Sequence, residues 1–255
     1  MFKPLMNKIT LISGAGDGLG RELALQLGKD KNNLILVSKS DNVFDVKKKI
    51  LKHHKDCIAI KCNITNFTEL EKELSNVALI NVDRVDMVLC AGIVGKTGGI
   101  LNSDLIDWSN TFNVNVLGNI NILRFFLQQH KIVTKSIFIS GGGSAYGYPE
   151  LFGYSLSKTA LVRAVENISI ELAKINNKHI THIIAPGAMQ TKMLETVKST
   201  GANIKTTVPI IETIKFIKKL LTNDFHNLNG KFFHVRDDLE NLCLGKEKWL
   251  LRRIT

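Results

Sequence analysis

Lys8-Ile9-Thr10-Leu11-Ile12-Ser13-Gly14-Ala15-Gly16-Asp17-Gly18-Leu19-Gly20 decides the fold. A short apolar, β-branched run ends in a glycine-rich turn, and an amphipathic stretch begins at Leu19. A turn between a first strand and a first helix is the context a phosphate-binding loop requires. Glycines let the backbone come close to an anion, while the helix amino terminus offers unpaired amides and the positive end of its dipole. The spacing of Gly14, Gly18 and Gly20 is Gly-x-x-x-Gly-x-Gly rather than Gly-x-Gly-x-x-Gly. Taken alone it also suits an ordinary strand-to-helix turn. Its place directly after the first strand favours the binding loop.

Outward from this turn, apolar runs alternate with longer amphipathic stretches. The apolar runs predict strands at Lys8 to Ile12, Asn33 to Val37, Cys57 to Lys61, Val85 to Leu89, Lys135 to Ser140, His179 to Ile184 and Lys231 to Val235. Their β-branched composition suits burial on both faces. Helical periodicity covers Leu19 to Gly28, Val43 to His53, Phe67 to Val77, Leu105 to Gln129, Phe152 to Asn176 and Pro209 to Thr222. Strand and helix in strict turn, with right-handed crossovers, predict an α/β chain with a doubly wound parallel seven-stranded sheet, a single Rossmann-type domain over 1–255. The 255 residues, 44% hydrophobic and 22% charged, suffice for one large core, and neither an internal repeat nor a low-complexity linker interrupts them. The tail 236–255 falls outside the alternation; Trp249-Leu250-Leu251 is expected to dock on the body or on a neighbour.

A formal charge of +11 raises the question of nucleic acid. Lys47-Lys48-Lys49, Lys218-Lys219 and Arg252-Arg253 are short scattered clusters without interleaved aromatics, so no nucleic-acid partner is expected. Cys57, Cys62, Cys90 and Cys243 form no close pairing pattern, which suggests a reduced, intracellular protein. Cys57 and Cys62 flank an apolar alternation and read as buried thiols rather than metal ligands. Met1 to Lys8 lacks the apolar core of a signal peptide, and no run approaches a membrane span, so a cytoplasmic protein without a membrane partner is expected.

Far downstream, Tyr154-Ser155-Leu156-Ser157-Lys158 places a phenol and an ammonium four residues apart. On a helix such side chains share one face about a turn from each other. A neighbouring cation favours tyrosinate, so a phenol pKa of ~10 is expected to fall toward acid/base duty at neutral pH. Tyr-x-x-x-Lys is common by chance; joined to the glycine turn in this order, it becomes specific.

With both motifs in hand, the chain resembles a short-chain dehydrogenase/reductase from about Lys8 to Val235. Thr-Gly-x-x-x-Gly-x-Gly appears as Ser13 to Gly20, with Ser for Thr. Asn-Asn-Ala-Gly appears as Leu89-Cys90-Ala91-Gly92, keeping Ala-Gly and losing both asparagines. The active-site asparagine matches Asn115, and the Pro-Gly element matches Pro186-Gly187-Ala188-Met189-Gln190-Thr191. The family's serine, about thirteen residues before the tyrosine, falls here on Gly141. Such a serine would hold the substrate carbonyl. Ser140 is favoured for the role if the loop shifts by one residue; Ser144 folding back, or no serine at all, are the alternatives.

The resemblance implies a nicotinamide cofactor and a small carbonyl or alcohol substrate. Tyr154 would move the proton, Lys158 would tune it and bond the nicotinamide ribose, and Asn115 would support a water relay. Cofactor contacts are expected from Ser13, Gly14, Asp17, Gly18, Leu19 and Gly20, from Asn63 and Ile64, and from Cys90, Ala91 and Gly92. At the nicotinamide end they are expected from Tyr154, Lys158, Pro186, Gly187, Met189 and Thr191. Ser38 stands where an acid would bond both ribose hydroxyls of NAD, and Lys39 follows, which favours NADP with NAD as the alternative. Asp17 argues the other way, since NADP-preferring relatives often carry a basic residue in that turn. Met189 to Pro209 is expected to be a mobile flap whose Lys192, Lys198 and Lys205 suit a polar or anionic carbonyl compound such as a keto sugar. A homodimer or homotetramer is expected from the apolar circumference of Leu105 to Gln129 and Phe152 to Asn176.

Overall fold

The computed structural model describes residues 7–244 except 55, 80, 130, 146, 202, 203 and 205. Lys205, Trp249-Leu250-Leu251 and Arg252-Arg253 therefore lie outside the described residues. Strands β1 (Asn7–Ser13), β2 (Leu34–Ser38), β3 (Cys57–Lys61), β4 (Val82–Leu89), β5 (Val133–Ile139), β6 (Ile180–Ala185) and β7 (Phe232–His234) alternate with helices α1 (Gly18–Lys29), α2 (Asn42–Ile50), α3 (Phe67–Ser75), α4 (Leu105–Phe112), α5 (Asn119–Leu127), α6 (Phe152–Ile175) and α8 (Ile210–Thr222). Two further helices, α7 (Lys192–Ser199) and α9 (Leu239–Cys243), lie outside that strict alternation. The strands form one seven-stranded parallel sheet in the order β3-β2-β1-β4-β5-β6-β7. Chain order reverses direction between β1 and β4, and in open α/β sheets such a switch point opens the ligand crevice at the carboxyl ends of the strands.

By its internal contacts the chain divides into two units, 1–92 with 113–136, and 93–112 with 137–255. In the first, β1 pairs in parallel with β2 and β4, aligning Ser13 with Val37 and with Leu89 at the strand ends. All five residues of β2, Leu-Ile-Leu-Val-Ser, are buried, as a strand covered on both faces demands. Leu23 and Leu27 of α1, Leu70 and Leu74 of α3 and Ile122, Leu123 and Phe126 of α5 complete that core. In the second unit, Phe138, Ile183, Ile184 and Phe233 from the strands are buried, as are Leu161, Val165 and Leu172 of α6 and Ile214, Ile217 and Leu220 of α8. The three-residue spacing of those α8 positions, with Leu221 buried four after Ile217, is the apolar stripe of a helix that faces a core on one side.

Two expectations are corrected and one is refined. The stretch Leu105 to Gln129 is not one α-helix: six residues, Asn113–Gly118, wind as a π-helical turn between α4 and α5. Gly118 there lies against Ile64, where an added Cβ would come within 2.7 Å of Ile64 Cγ1. The helix read as Val43 to His53 ends at Ile50, because His53 N donates to the Ile50 carbonyl in a tighter turn. Finally, the segment expected as a mobile flap contains α7, capped by Thr191, whose Oγ1 accepts from Leu194 N. No helix among the described residues is long and apolar enough to cross a membrane.

Asp86 of β4 is fully buried, with Lys8 Nζ 2.7 Å from one carboxylate oxygen and Arg84 Nε 2.7 Å from the other. A buried carboxylate is tolerated only while paired. Arg84→Met strips one partner and should lower the unfolding free energy by about 2 kcal/mol, read from the denaturant midpoint; Asp86→Asn introduced in the same chain should recover part of the loss.

Candidate active site

In the first unit the site is built on a close approach of two backbones. Gly14 has φ +67, and a Cβ there would lie 2.9 Å from both the Cα and the N of Ala91. Any side chain is thus excluded by conformation and by space. Asp17, outside the helix in extended conformation, turns its carboxylate to accept from Gly18 N at 2.8 Å. It caps α1, a sufficient local reason for an acid at that helix end. Leu19 is buried, and Gly20 packs against the Gly14 carbonyl.

At the end of β2, Ser38 is buried, whereas Lys39 and Ser40 are exposed. Ser38 Oγ accepts from Ser40 N at 3.3 Å. A Cβ on Gly16 would lie 2.6 Å from Ser38 Oγ and 2.8 Å from Ser40 Oγ. The glycine turn therefore faces two hydroxyls rather than a carboxylate. Asn63 is committed to a local turn, its Oδ1 accepting from Thr65 Oγ1 at 3.0 Å, and Ile64 beside it is buried. Asn115 is fully buried within the π-helical turn, while Cys90, Ala91 and Gly92 are half-buried.

Sequence reasoning missed Asn119. Ser13 Oγ donates to Asn119 Oδ1 at 2.8 Å, Asn119 Nδ2 donates to the Ala91 carbonyl at 2.8 Å, and Ala91 N donates to Ser13 Oγ at 3.1 Å. Serine and asparagine are 106 residues apart, so no local pattern pointed to the pair.

The second unit carries the acid/base group. Gly141 and Gly143 lie along the first turns of α6, and glycine there serves space. A Cβ on Gly143 would meet Ser155 Cα at 3.0 Å, and one on Gly141 would lie 2.5 Å from the Tyr154 hydroxyl. Tyr154 is half-buried as a residue, but its hydroxyl end sits deep against Gly141. Burial of that end, reinforced by the neighbouring Tyr148, pushes the phenol from an ordinary 10.0 up to about 12. The lowering expected from Lys158 is thus corrected to a rise. Lys158 is buried, its Nζ donates to the Ile139 carbonyl at 2.8 Å and stands 5.7 Å from the Tyr154 ring centroid. Desolvation of the buried phenol is the largest cause of the rise.

Ser140 is 2% exposed and turned into the protein. Its hydroxyl donates to the Lys158 carbonyl at 3.3 Å and lies 3.0 Å from Ser144 Oγ, which donates to the Gly141 carbonyl at 2.7 Å. Both serines proposed to hold a substrate oxygen are engaged in shaping this loop. Among the residues expected nearest the nicotinamide, Pro186 is buried and its carbonyl accepts from Thr213 Oγ1 at 3.2 Å. A Cβ on Gly187 would meet Val208 Cγ2 at 2.5 Å, and the Met189 carbonyl accepts from Thr191 Oγ1 at 3.2 Å.

The sequence profile of the family described as short chain dehydrogenase matches residues 8–202. A 3-oxoacyl-[acyl-carrier-protein] reductase of Buchnera aphidicola subsp. Baizongia pistaciae is 31% identical over 245 residues, 89% of this chain and 95% of that one. Among solved structures, ElxO with NADP bound superposes with a TM-score of 0.75 at 18% identity, covering 90% of this chain and 97% of that one. A 4-hydroxyisoleucine dehydrogenase complexed with NADH gives 0.75 at 19% identity, covering 89% and 96%. One neighbour carries NADP and the other NADH, so likeness of fold leaves the choice of cofactor open.

The raised phenol has a stability signature with a definite sign. The folded chain keeps the Tyr154 proton up to about 12, whereas the unfolded chain releases it from 10.0. This contribution is full below pH 10.0 and is lost as pH rises toward about 12. Cys57, raised by burial from 9.0 to about 12, adds to the same limb from a lower starting pH. Denaturant titrations of the cofactor-free protein across this range should show stability falling with pH, and Tyr154→Phe should flatten the fall above pH 10.0.

Proposed function

The chain belongs to the short-chain dehydrogenase family, and we propose that it is an NADP(H)-dependent oxidoreductase that interconverts a small carbonyl compound and its secondary alcohol. The observation that carries the reading is the phenol of Tyr154, packed over Gly141 one helical turn from Lys158. The fit of a dinucleotide rests on the glycine cradle, where Gly14 and Gly20 leave no room for a side chain beside the amino terminus of α1. Leu19 would present its amide to the pyrophosphate, beside a Gly18 amide held by the Asp17 carboxylate, and Asn63 and Ile64 would border the adenine. Ala91 and Gly92, with Pro186, Gly187, Met189 and Thr191, would hold the nicotinamide half. A bound nicotinamide supplies a hydride donor or acceptor.

The chain's own residues handle the proton. A phenol that keeps its proton throughout the neutral range is an acid, so Tyr154 would protonate a carbonyl oxygen as charge develops on it. Lys158 would hold a ribose hydroxyl, and Asn115 would support the return of a proton to the phenol. With Ser140 and Ser144 engaged within their loop, Tyr154 is left as the principal donor to the substrate oxygen.

NADP is favoured over NAD by hydroxyls at Ser38 and Ser40, with Lys39 between them, where an acid would repel a 2′-phosphate. For the substrate, the Buchnera relative makes a 3-oxoacyl thioester the first class to try. A keto sugar, suggested by the lysines after Thr191, comes second, because Lys192 and Lys198 stand exposed on α7. Leu156, Ile170 and Ile175 of α6, at 50, 61 and 70% exposure, support a homo-oligomer.

A second reading, a dinucleotide-binding protein with little turnover, is favoured by the missing serine at Gly141. Oxidation of NADPH followed with acetoacetyl-coenzyme A and with a nucleotide-linked keto sugar separates the two. Tyr154→Phe should cut turnover by about 100-fold or more and leave the NADPH dissociation constant within about threefold. Unchanged turnover in that variant would sink the enzymatic reading. Lys39→Asp should weaken NADPH binding by about tenfold more than NADH binding, and equal losses would remove the 2′-phosphate assignment.

A further inference from the structure

We propose that Asn119 is a positioning residue that fixes the Ala91 peptide beneath the glycine turn and the π-helical turn bearing Asn115. Its significance for catalysis rests on the function proposed above; its geometry does not. Asn119, the first residue of α5, is 1% exposed. Ser13, Asn119 and Ala91 close a ring in which each group donates to the next, at 2.8, 2.8 and 3.1 Å. The Ala91 carbonyl can only accept, so the amide nitrogen must face it and Oδ1 must face the Ser13 hydroxyl. The remaining amide proton is shared between the carbonyls of Val114 and Asn115, at 3.3 and 3.2 Å.

Every donor and acceptor of this buried amide is met. An apolar side chain would fill such a space at lower desolvation cost, whereas a fully satisfied polar group specifies one arrangement. What it specifies is informative. Both backbone groups of Ala91 are bonded by the Ser13–Asn119 pair, so the peptides on either side of it cannot rotate independently. Leu89 and Cys90, immediately before it, carry no side-chain amide. Ala91 is also the wall against which Gly14 lies, 2.9 Å from the place of an absent Cβ. In the other direction, Asn119 reaches back to carbonyls that an α-helix would use internally, and this helps hold residues 113–118 in their wider turn.

Hydrogen exchange of the full cofactor-free chain tests the geometry, and NADPH titration tests its consequence. In Asn119→Leu, amides of 90–92 and 113–118 should exchange about tenfold faster, while those of α8 and β7 remain as before. Asn121→Leu is the control: Asn121 is buried two positions along the same helix and its Nδ2 lacks a hydrogen-bond partner. It should alter neither exchange nor NADPH affinity. The NADPH dissociation constant of Asn119→Leu should rise about tenfold, and Ser13→Ala added to it should weaken binding little further, because one ring has already been broken.

Exchange that accelerates everywhere alike would reduce Asn119 to general stability and overturn the proposal. So would unchanged exchange at 90–92, or local loosening with undiminished NADPH affinity. If the unaltered chain binds neither NADPH nor NADH, the functional reading fails, and the exchange measurement still decides whether Asn119 holds the two turns.

Discussion

Gly14 and Ala91 approach so closely that a single methyl group has no room between them. The contact lies at the carboxyl ends of β1 and β4, where the sheet order reverses and two loops must leave side by side. Close backbone approach creates a difficulty, since peptide groups in so tight a space still need hydrogen-bond partners. Ser13 supplies one partner from the end of β1, and Asn119 supplies the other from the start of α5. The first unit thus spends its polar side chains on holding backbone in place, so that the glycine turn and the helix end behind it present amides in fixed directions.

In the second unit, glycines play a different part. Gly141 and Gly143 lack the positive φ that glycine favours, and lie where α6 comes too near for side chains. The absence of a serine at Gly141 and the depth of the Tyr154 hydroxyl are therefore linked. A serine Cβ at that place would collide with the phenol as it stands. The loop gives up a donor and gains a more deeply set acid. Ser140 and Ser144 then brace the loop against α6 and against itself.

How legible all this was in the sequence depended on range. Parallel strands buried on both faces announce themselves as continuous apolar runs, so all seven were placed to within a few residues of their observed ends. The position of the Tyr-x-x-x-Lys helix was equally plain. The break in the stretch Leu105 to Gln129 was not, because the π-helical turn coincides with contacts of Asn119 and Ile64, which periodicity does not report. Helix α7 carried a usable signal that went unread: Thr191 as a cap, with Met193, Leu194 and Val197 at helical spacing. The Tyr154 pKa was misjudged because sequence supplies the partner's charge but not the depth of the phenol, and here depth wins.

That balance between charge and depth bears on how the site would work. A phenol with its proton held tightly makes a poor base, yet in a reduction the proton need only leave as the substrate oxygen becomes strongly basic. Lys158, anchored to the Ile139 carbonyl, would bring its charge to bear on the oxyanion-like state as that charge develops. The same burial that raises the phenol would strengthen that interaction, since charges separated from water act on one another more strongly. On this reasoning the departure from the family pattern at Gly141 leaves the phenol of Tyr154 as a single, deeply set donor to the substrate.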